Sequence, residues 1–296
     1  MAHNHHHSHS DATGNIKVAF FLNLAFTIIE IIGGLFTNSL AILSDALHDL
    51  GDSLSLGLSW YFQKVSNKEA NKKYSYGYKR FSLLGAIINS IILVIGSVFI
   101  IKEAIPRILN PEQADAKGMM WIAILGILVN GAAVLKLKQG TSINERVVSL
   151  HLLEDVLGWL AVLIASVIMQ FWDIPILDPI LSLLIAFYVL FNVFRNMEES
   201  LKIILMATPE DVSIESVKEK LLSFEEITDV HDCHLWTLDG EHNVFTAHIT
   251  LKDKSISLNT TENLKKEIKK TLHEQFRLEH ITLELEFADE DCKYKD

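Results

Sequence analysis

Cysteine is scarce in this chain. Only Cys233 and Cys292 occur in 296 residues, too few for a disulfide framework and suited to a reducing compartment. Basic charge is short as well: 26 Lys and Arg stand against 37 Asp and Glu, a formal net charge of −11. That balance argues against nucleic acid as a partner, which would want a basic face. The N-terminus is polar and His-rich, without an A-x-A-like site before the first apolar run, so no cleavable signal peptide is expected. No H-E-x-x-H run occurs, which removes the usual signature of a helix-borne metallohydrolase. What the chain has in quantity is apolar surface: 49% of residues are hydrophobic and mean hydropathy is +0.26. Apolar bulk with a strong net charge suits a membrane protein with a polar appendage better than a uniform soluble fold.

A bilayer core takes about 20 mostly apolar residues of helix. Runs of near that length cover residues 16–37, 38–62, 82–105, 119–137, 147–170 and 177–194, predicting six transmembrane helices. The second and fifth are the most polar. Near residue 205 charged residues become frequent and spanning runs stop. The expected organisation is a His-rich cytoplasmic arm over 1–15, a six-helix bundle over 16–205 and a cytoplasmic domain over 206–296. Lys and Arg cluster after the second span (Lys64, Lys68, Lys72, Lys73, Lys79, Arg80), after the fourth (Lys136, Lys138, Arg146) and after the sixth (Arg195, Lys202). The loop after the first span has none, and that after the fifth offers only Asp173 and Asp178. Positive-inside reading therefore places both termini in the cytoplasm.

The tail alternates in type. Helical spacing runs over 213–224 and 260–276, and strand alternation over 227–238, 243–251 and 280–287, with Asp239 and Gly240 marking a hairpin. The order αββαβ predicts a small α+β sandwich with helices on one sheet face.

The chemistry lies inside the apolar runs. His48 and Asp52 are four residues apart on the second span, and His151 and Asp155 repeat that spacing on the fifth, so each pair shares one helix face. A lone polar residue in a span can serve as interhelical hydrogen-bonding glue. Two copies of one pair point instead to a site, because each charge at that depth needs a partner. Two imidazoles and two carboxylates in a tetrahedron are chemistry for Zn²⁺. Four protein ligands also leave no vacancy for a catalytic water, so no enzyme is expected. Asp45, Asp49 and Glu154 are expected as vestibule or helix-capping groups, and Glu30, Asn89 and Asn130 as packing hydrogen bonds. A membrane-anchored metal sensor or adaptor remains the rival reading, separable from transport by flux in sealed vesicles.

At these residues the chain resembles the cation diffusion facilitators. The likeness is carried by "SLAILSDALHDLGDS" and "HLLEDVLGW" and extends through "YSYGYKRFSLLGAIINS", "LDPILSLLIAF" and "DVHDCHLWTLDGEHNVFTAHITL". It implies a homodimeric zinc-type efflux transporter of the cytoplasmic or an organellar membrane, exchanging a divalent cation for protons. It also implies a ferredoxin-like cytoplasmic domain similar to metallochaperones, and no cofactor. The four transport ligands it implies are His48, Asp52, His151 and Asp155. Zn²⁺ is the expected cargo, with Cd²⁺ or Co²⁺ beside it. A second, cytoplasmic metal cluster at the dimer interface is implied at His231, His248, Glu262, Glu284 and Glu286, although His248 also fits a structural histidine in a strand. One departure concerns the loop after the second span, where some members bind a cation through histidines. Here those positions are Tyr74 and Tyr78, and phenols of pKa about 10 are poor zinc ligands. Cys292 reads as an exposed thiol. "MAHNHHHSHS", with His3, His5, His6, His7 and His9, resembles an expression tag but is broken, as expected of a native arm with weak metal affinity.

Overall fold

The computed structural model describes residues 8–137, 143–253 and 256–287; His3, His5, His6, His7 and Cys292 lie outside them. Six helices come first: α1 (Ser8–Thr37), α2 (Leu40–Ser66), α3 (Phe81–Leu109), α4 (Ala116–Leu137), α5 (Ile143–Phe171) and α6 (Leu177–Ile204). Helix α1 thus begins inside the segment expected as an arm. Five of the six contain stretches long and apolar enough to cross a bilayer: Phe20–Thr37, Phe81–Leu109, Ala116–Lys136, Ser149–Phe171 and Leu177–Ile204. Helix α2 is the exception among the six expected spans. It has spanning length at 27 residues, but Asp45, Asp49 and Asp52 dilute its apolar character.

The chain divides into two compact units. One holds the residues up to Tyr61 and Gly85–Asn196; the other holds Phe62–Leu84 and the chain from Met197. In the first, large apolar side chains point outward: Phe36, Phe99, Leu128, Leu135, Phe171 and Phe191 are all more than half exposed. Helices with greasy outer faces are the arrangement a lipid solvent requires, since every backbone group is bonded within its own segment. The interior is built around Trp159, fully buried among Phe26, Ile42, Met119, Ala123 and Val162. Phe26 meets its ring edge-on at 5.5 Å. Gly126 lets α4 approach, because a Cβ there would stand 2.4 Å from the Trp159 ring. Small residues at such crossings are how helices gain contact in a membrane without a hydrophobic driving force.

The second unit carries α7 (Ile214–Leu222), β1 (Ile227–Thr237), β2 (Asn243–Leu251), α8 (Leu258–Phe276) and β3 (Leu278–Phe287). The predicted αββαβ order is what is observed. Strand β2 is central, antiparallel to β1 and parallel to β3. Alternation sorts the faces. Phe245, Ala247, Ile249 and Leu251 of β2 are buried with Val217 and Leu221 of α7 and Leu264, Ile268 and Leu272 of α8. Both helices therefore cover one face, and His248, Glu284 and Glu286 fall on the other by the period of two. A ferredoxin-like sheet would need a further strand before α7. Among the described residues the sheet has three strands, and the segment ahead of α7 holds Pro209, which has no N–H to give to a ladder.

Candidate metal centre

Helix α2 is anchored before it presents any ligand. Asn38 takes a left-handed turn at φ 53°, and the Ser39 hydroxyl accepts from the Ile42 N–H at 3.2 Å as a cap. Asp178, in the first turn of α6, then accepts from Ser39 Oγ at 2.5 Å, Leu40 N at 2.8 Å and Ala41 N at 3.2 Å. One carboxylate thus satisfies amide donors that a helix start leaves orphaned, and it sits where the helix dipole favours an anion. Farther along, Gly51 and Gly96 bring α2 and α3 together: a Cβ would stand 2.4 Å from Leu93 and 2.3 Å from Leu47, respectively. The stripe carrying His48 and Asp52 is therefore held both at its start and along its length.

The α2 and α5 pairs converge. Asp52 Oδ2 lies 2.9 Å from His151 Nε2 and 3.6 Å from His48 Nε2, so one carboxylate oxygen stands between two imidazoles. The rings meet edge-on with centroids 5.8 Å apart. His48, His151 and Asp155 each offer one ligand atom, all within 4.8 Å of one another. Zn–N and Zn–O bonds of about 2.0–2.2 Å imply ligand–ligand edges of about 3.4 Å in a tetrahedron, so side-chain adjustments of an ångström or so close these groups around one cation. Asp155 is buried, and its Oδ2 has no hydrogen-bond partner among the described residues.

A second set of acids lies deeper than expected. Asp45 and Asp49 are not vestibule or capping groups: they are 6% and 1% exposed, and Asp45 Oδ2 finds no hydrogen-bond partner among the described residues. Glu30 of α1 is fully buried and has the Asp49 side chain as its hydrogen-bonding neighbour. Asn89 Oδ1 and Asn130 Nδ2 are unpartnered among the described residues. Glu30, Asp45, Asp49 and Asp155 act on one another as neighbouring charges. The reason these acids are inward is helical: on α2, positions 45, 49 and 52 recur every three to four residues on the face turned from lipid. Glu154 differs, accepting at 3.4 Å from the hydroxyl of Tyr188 in an exposed setting.

The tail gathers a second group. His231 and His248 are cross-strand partners with ring centroids 5.5 Å apart. Glu286 reaches both, with Oε1 2.6 Å from His248 Nδ1 and Oε2 3.3 Å from His231 Nε2. The latter approach is close but misaligned, and the buried Nε2 makes no hydrogen bond. Ligand atoms of His231, His248 and Glu286 lie within 4.8 Å of one another, a nitrogen- and oxygen-donor set that fits a borderline divalent cation. Glu284 joins at 3.4 Å from His248 Nε2. Glu262 does not: it is exposed on α8 and paired with Lys266 at 2.8 Å, its i, i+4 neighbour. Asp232 was not anticipated, yet its Oδ2 lies 3.5 Å from His248 Nε2. In a regular strand it would face away from His231. A register shift between His231 and His234, with Asp232 at φ 46°, turns it round.

In the loop before α3, Tyr74 and Tyr78 form an aromatic contact with centroids 4.6 Å apart, and Asn71 donates to the Tyr78 hydroxyl at 2.8 Å.

Residues 16–205 match the family model of the cation efflux transmembrane domain, and residues 209–288 that of the cytoplasmic domain of cation efflux proteins. Among curated relatives, the cadmium, cobalt and zinc/H⁺-K⁺ antiporter of Bacillus subtilis is 32% identical over 290 residues, spanning 97% of this chain and 92% of its own. Zinc transporter ZitB of Escherichia coli is 31% identical over 97% of this chain and 93% of its own. Metal cation efflux system protein CzcD of Cupriavidus metallidurans is 30% identical over 95% and 90%. A solved structure, the metal-bound C-terminal domain of the CzcD transporter, is 25% identical, covers 25% of this chain and 99% of its own, and has a TM-score of 0.23.

Proposed function

The chain belongs to the cation efflux family of divalent-metal transporters, the cation diffusion facilitators, and on that premise we propose that it exports Zn²⁺ from the cytoplasm in exchange for protons. It is a multi-pass membrane protein and not an enzyme. The observation that carries the reading is the convergence of the i, i+4 pairs on α2 and α5, with His48, His151 and Asp155 offering ligand atoms within 4.8 Å and Asp52 bridging the imidazoles. These four residues are the proposed cargo site. Relatives named for cadmium, cobalt and zinc support Cd²⁺ and Co²⁺ as further cargo. In this reading α2 crosses the bilayer as the sixth span, both termini are cytoplasmic, the membrane is the cytoplasmic one, and the chain is a homodimer.

The chemistry of exchange follows from the ligands. Imidazole nitrogen and carboxylate oxygen bind metal only when deprotonated, so metal and protons compete for the same atoms. Unperturbed imidazole titrates near pH 6.5, which suits release by a modest proton gradient. Glu30, Asp45 and Asp49, buried beside Asp155, place further carboxyl groups next to the cargo site. A rocking of the helices would then expose the site to the far side, where protons displace the cargo. In the tail, His231, His248 and Glu286, with Glu284 and Asp232 beside them, would hold a divalent cation between strands β1, β2 and β3. Glu262 is left out of that set within one chain.

Proteoliposomes carrying the full chain, a trapped zinc indicator and a trapped pH indicator test the proposal. The expected result is zinc movement opposed by proton movement, with the zinc rate rising with the imposed pH difference. Zinc binding without flux would favour a membrane-anchored sensor. Flux indifferent to the pH difference but responsive to a K⁺ gradient would replace the proton with K⁺, an ion that appears in the name of the B. subtilis relative.

A further inference from the structure

In a chain of net charge −11, one cavity of the second unit is lined, among the described residues, by three cations and no acid. It encloses about 340 Å³, and Lys73, Lys79 and Arg80 supply the charge while Tyr74, Tyr76 and Trp236 supply much of the wall. The wall is set by its loop. The Asn71 side chain accepts from the Lys73 and Tyr74 amides at 2.9 and 3.0 Å, and Gly77, at φ 76°, turns back to donate to the Tyr74 carbonyl at 3.1 Å. Lys79 is held by His242, with Nζ to Nε2 at 2.9 Å. Lys73 lies over the Tyr74 ring at 5.5 Å.

Arg80 is the group without an answer. Among the described residues its Nε is buried and hydrogen-bonds nothing, and no acid lines the cavity to neutralise its guanidinium. A buried donor left unpaired costs about 1–3 kcal/mol in a protein interior, and guanidinium matches phosphate oxygens by its planar fork. Arg80 also directly precedes the apolar stretch Phe81–Leu109. The opposite wall, at Trp236 and Leu238, belongs to the segment that matches the family's cytoplasmic domain. The cavity is therefore at the cytoplasmic end of a span, where Tyr and Trp rings favour the headgroup level and basic pockets meet anionic lipid.

We propose that this cavity binds a phosphate ester anion, supplied in the membrane by the headgroup of an acidic phospholipid. Arg80 takes the phosphate, Lys73 and Lys79 add charge, and the aromatic wall accepts the glycerol and upper acyl carbons.

The test uses the full chain in a neutral detergent. Native mass spectrometry reads retention of phosphatidylglycerol against phosphatidylcholine, and equilibrium dialysis reads binding of inorganic phosphate. Arg80→Gln and Lys73→Gln remove charge from the cavity; Lys64→Gln removes charge from the last turn of α2, outside it. Melting temperature shows that each variant folds, and if Arg80→Gln does not, Lys73→Gln with Arg80→Lys carries the test. Phosphatidylglycerol retained over phosphatidylcholine, weakened roughly fivefold for each cavity cation removed and unchanged in Lys64→Gln, supports the proposal with lipid as the source. Inorganic phosphate binding that depends on Arg80, without lipid preference, supports the phosphate site and assigns it a soluble source. Equal retention of the two lipids without phosphate binding, or equal loss in Lys64→Gln and Arg80→Gln, overturns it.

Discussion

Replacing Asp178 with Ala should damage transport without touching a ligand. Its carboxylate accepts three hydrogen bonds at the start of α2, from Ser39 Oγ, Leu40 N and Ala41 N at 2.5, 2.8 and 3.2 Å, and it is 1% exposed. A hydrogen bond to a charged group contributes about 1.5–3 kcal/mol, and a buried donor left unpaired forfeits its desolvation energy as well. Three such bonds do not add fully because they share one acceptor, and removing a buried charge also relieves its own desolvation cost. The net loss expected is roughly 3–5 kcal/mol, a large part of the 5–15 kcal/mol that holds a typical fold. Asp178→Asn keeps an acceptor oxygen but turns an amide N–H₂ toward other donors, so about half that loss is expected. Melting of the full chain in detergent and zinc flux in vesicles check both variants. Because α2 presents His48 and Asp52, loss of its anchor should lower flux more steeply than its effect on melting alone explains. Wild-type melting together with wild-type flux in Asp178→Ala would refute the view that α6 positions α2.

Three further outcomes follow from other parts of the fold. In Gly126→Ala the new Cβ would stand 2.4 Å from Trp159, so overpacking of about 1–3 kcal/mol is expected; an unchanged melting temperature would contradict the close approach of α4 to α5. Burial alone would raise the Asp239 carboxyl, but hydrogen bonds from the His242 side chain and the His242 and Glu241 amides outweigh it and hold it below its usual value. Its stabilisation is therefore complete above the unfolded pKa of about 3.9 and lost as pH falls through the lower folded value; Asp239→Asn should speed hydrogen exchange of the hairpin amides near neutral pH, and equal exchange rates there would remove that role. His248→Ala deletes the histidine that Glu286 meets at 2.6 Å and should lower the zinc stoichiometry of the full chain while Glu262→Ala does not; unchanged stoichiometry in His248→Ala would dismiss the tail cluster.

The tail order was readable because its strands alternate cleanly and its helices carry an apolar stripe, so period alone separates α7 and α8 from β1 to β3. The pairs His48/Asp52 and His151/Asp155 were readable for the same reason, since four residues is one turn. What escaped depends on partners far apart in the chain. Asp178 bonds Leu40 across 138 positions, and no local pattern marks such a cap. Asp232 was hidden by the shift in β1 that reverses its face. Asp45 and Asp49 read as vestibule or capping groups because they lie off the His48/Asp52 stripe or a turn away, whereas the structure buries both. Glu262 lies on the exposed surface of α8, paired with Lys266 at 2.8 Å, and so apart from the cluster within one chain.

The most direct test of the cargo site is zinc flux through Asp155→Ala in vesicles, with melting and dimer content measured on the same preparation. Asp155 is buried with an unpartnered oxygen beside His48 and His151, and three remaining ligands leave the tetrahedron open. The expected result is a folded protein whose zinc flux is abolished across a full zinc titration. A folded Asp155→Ala that carries zinc at the wild-type rate would contradict it, and the cargo would have to be sought among Glu30, Asp45 and Asp49 instead.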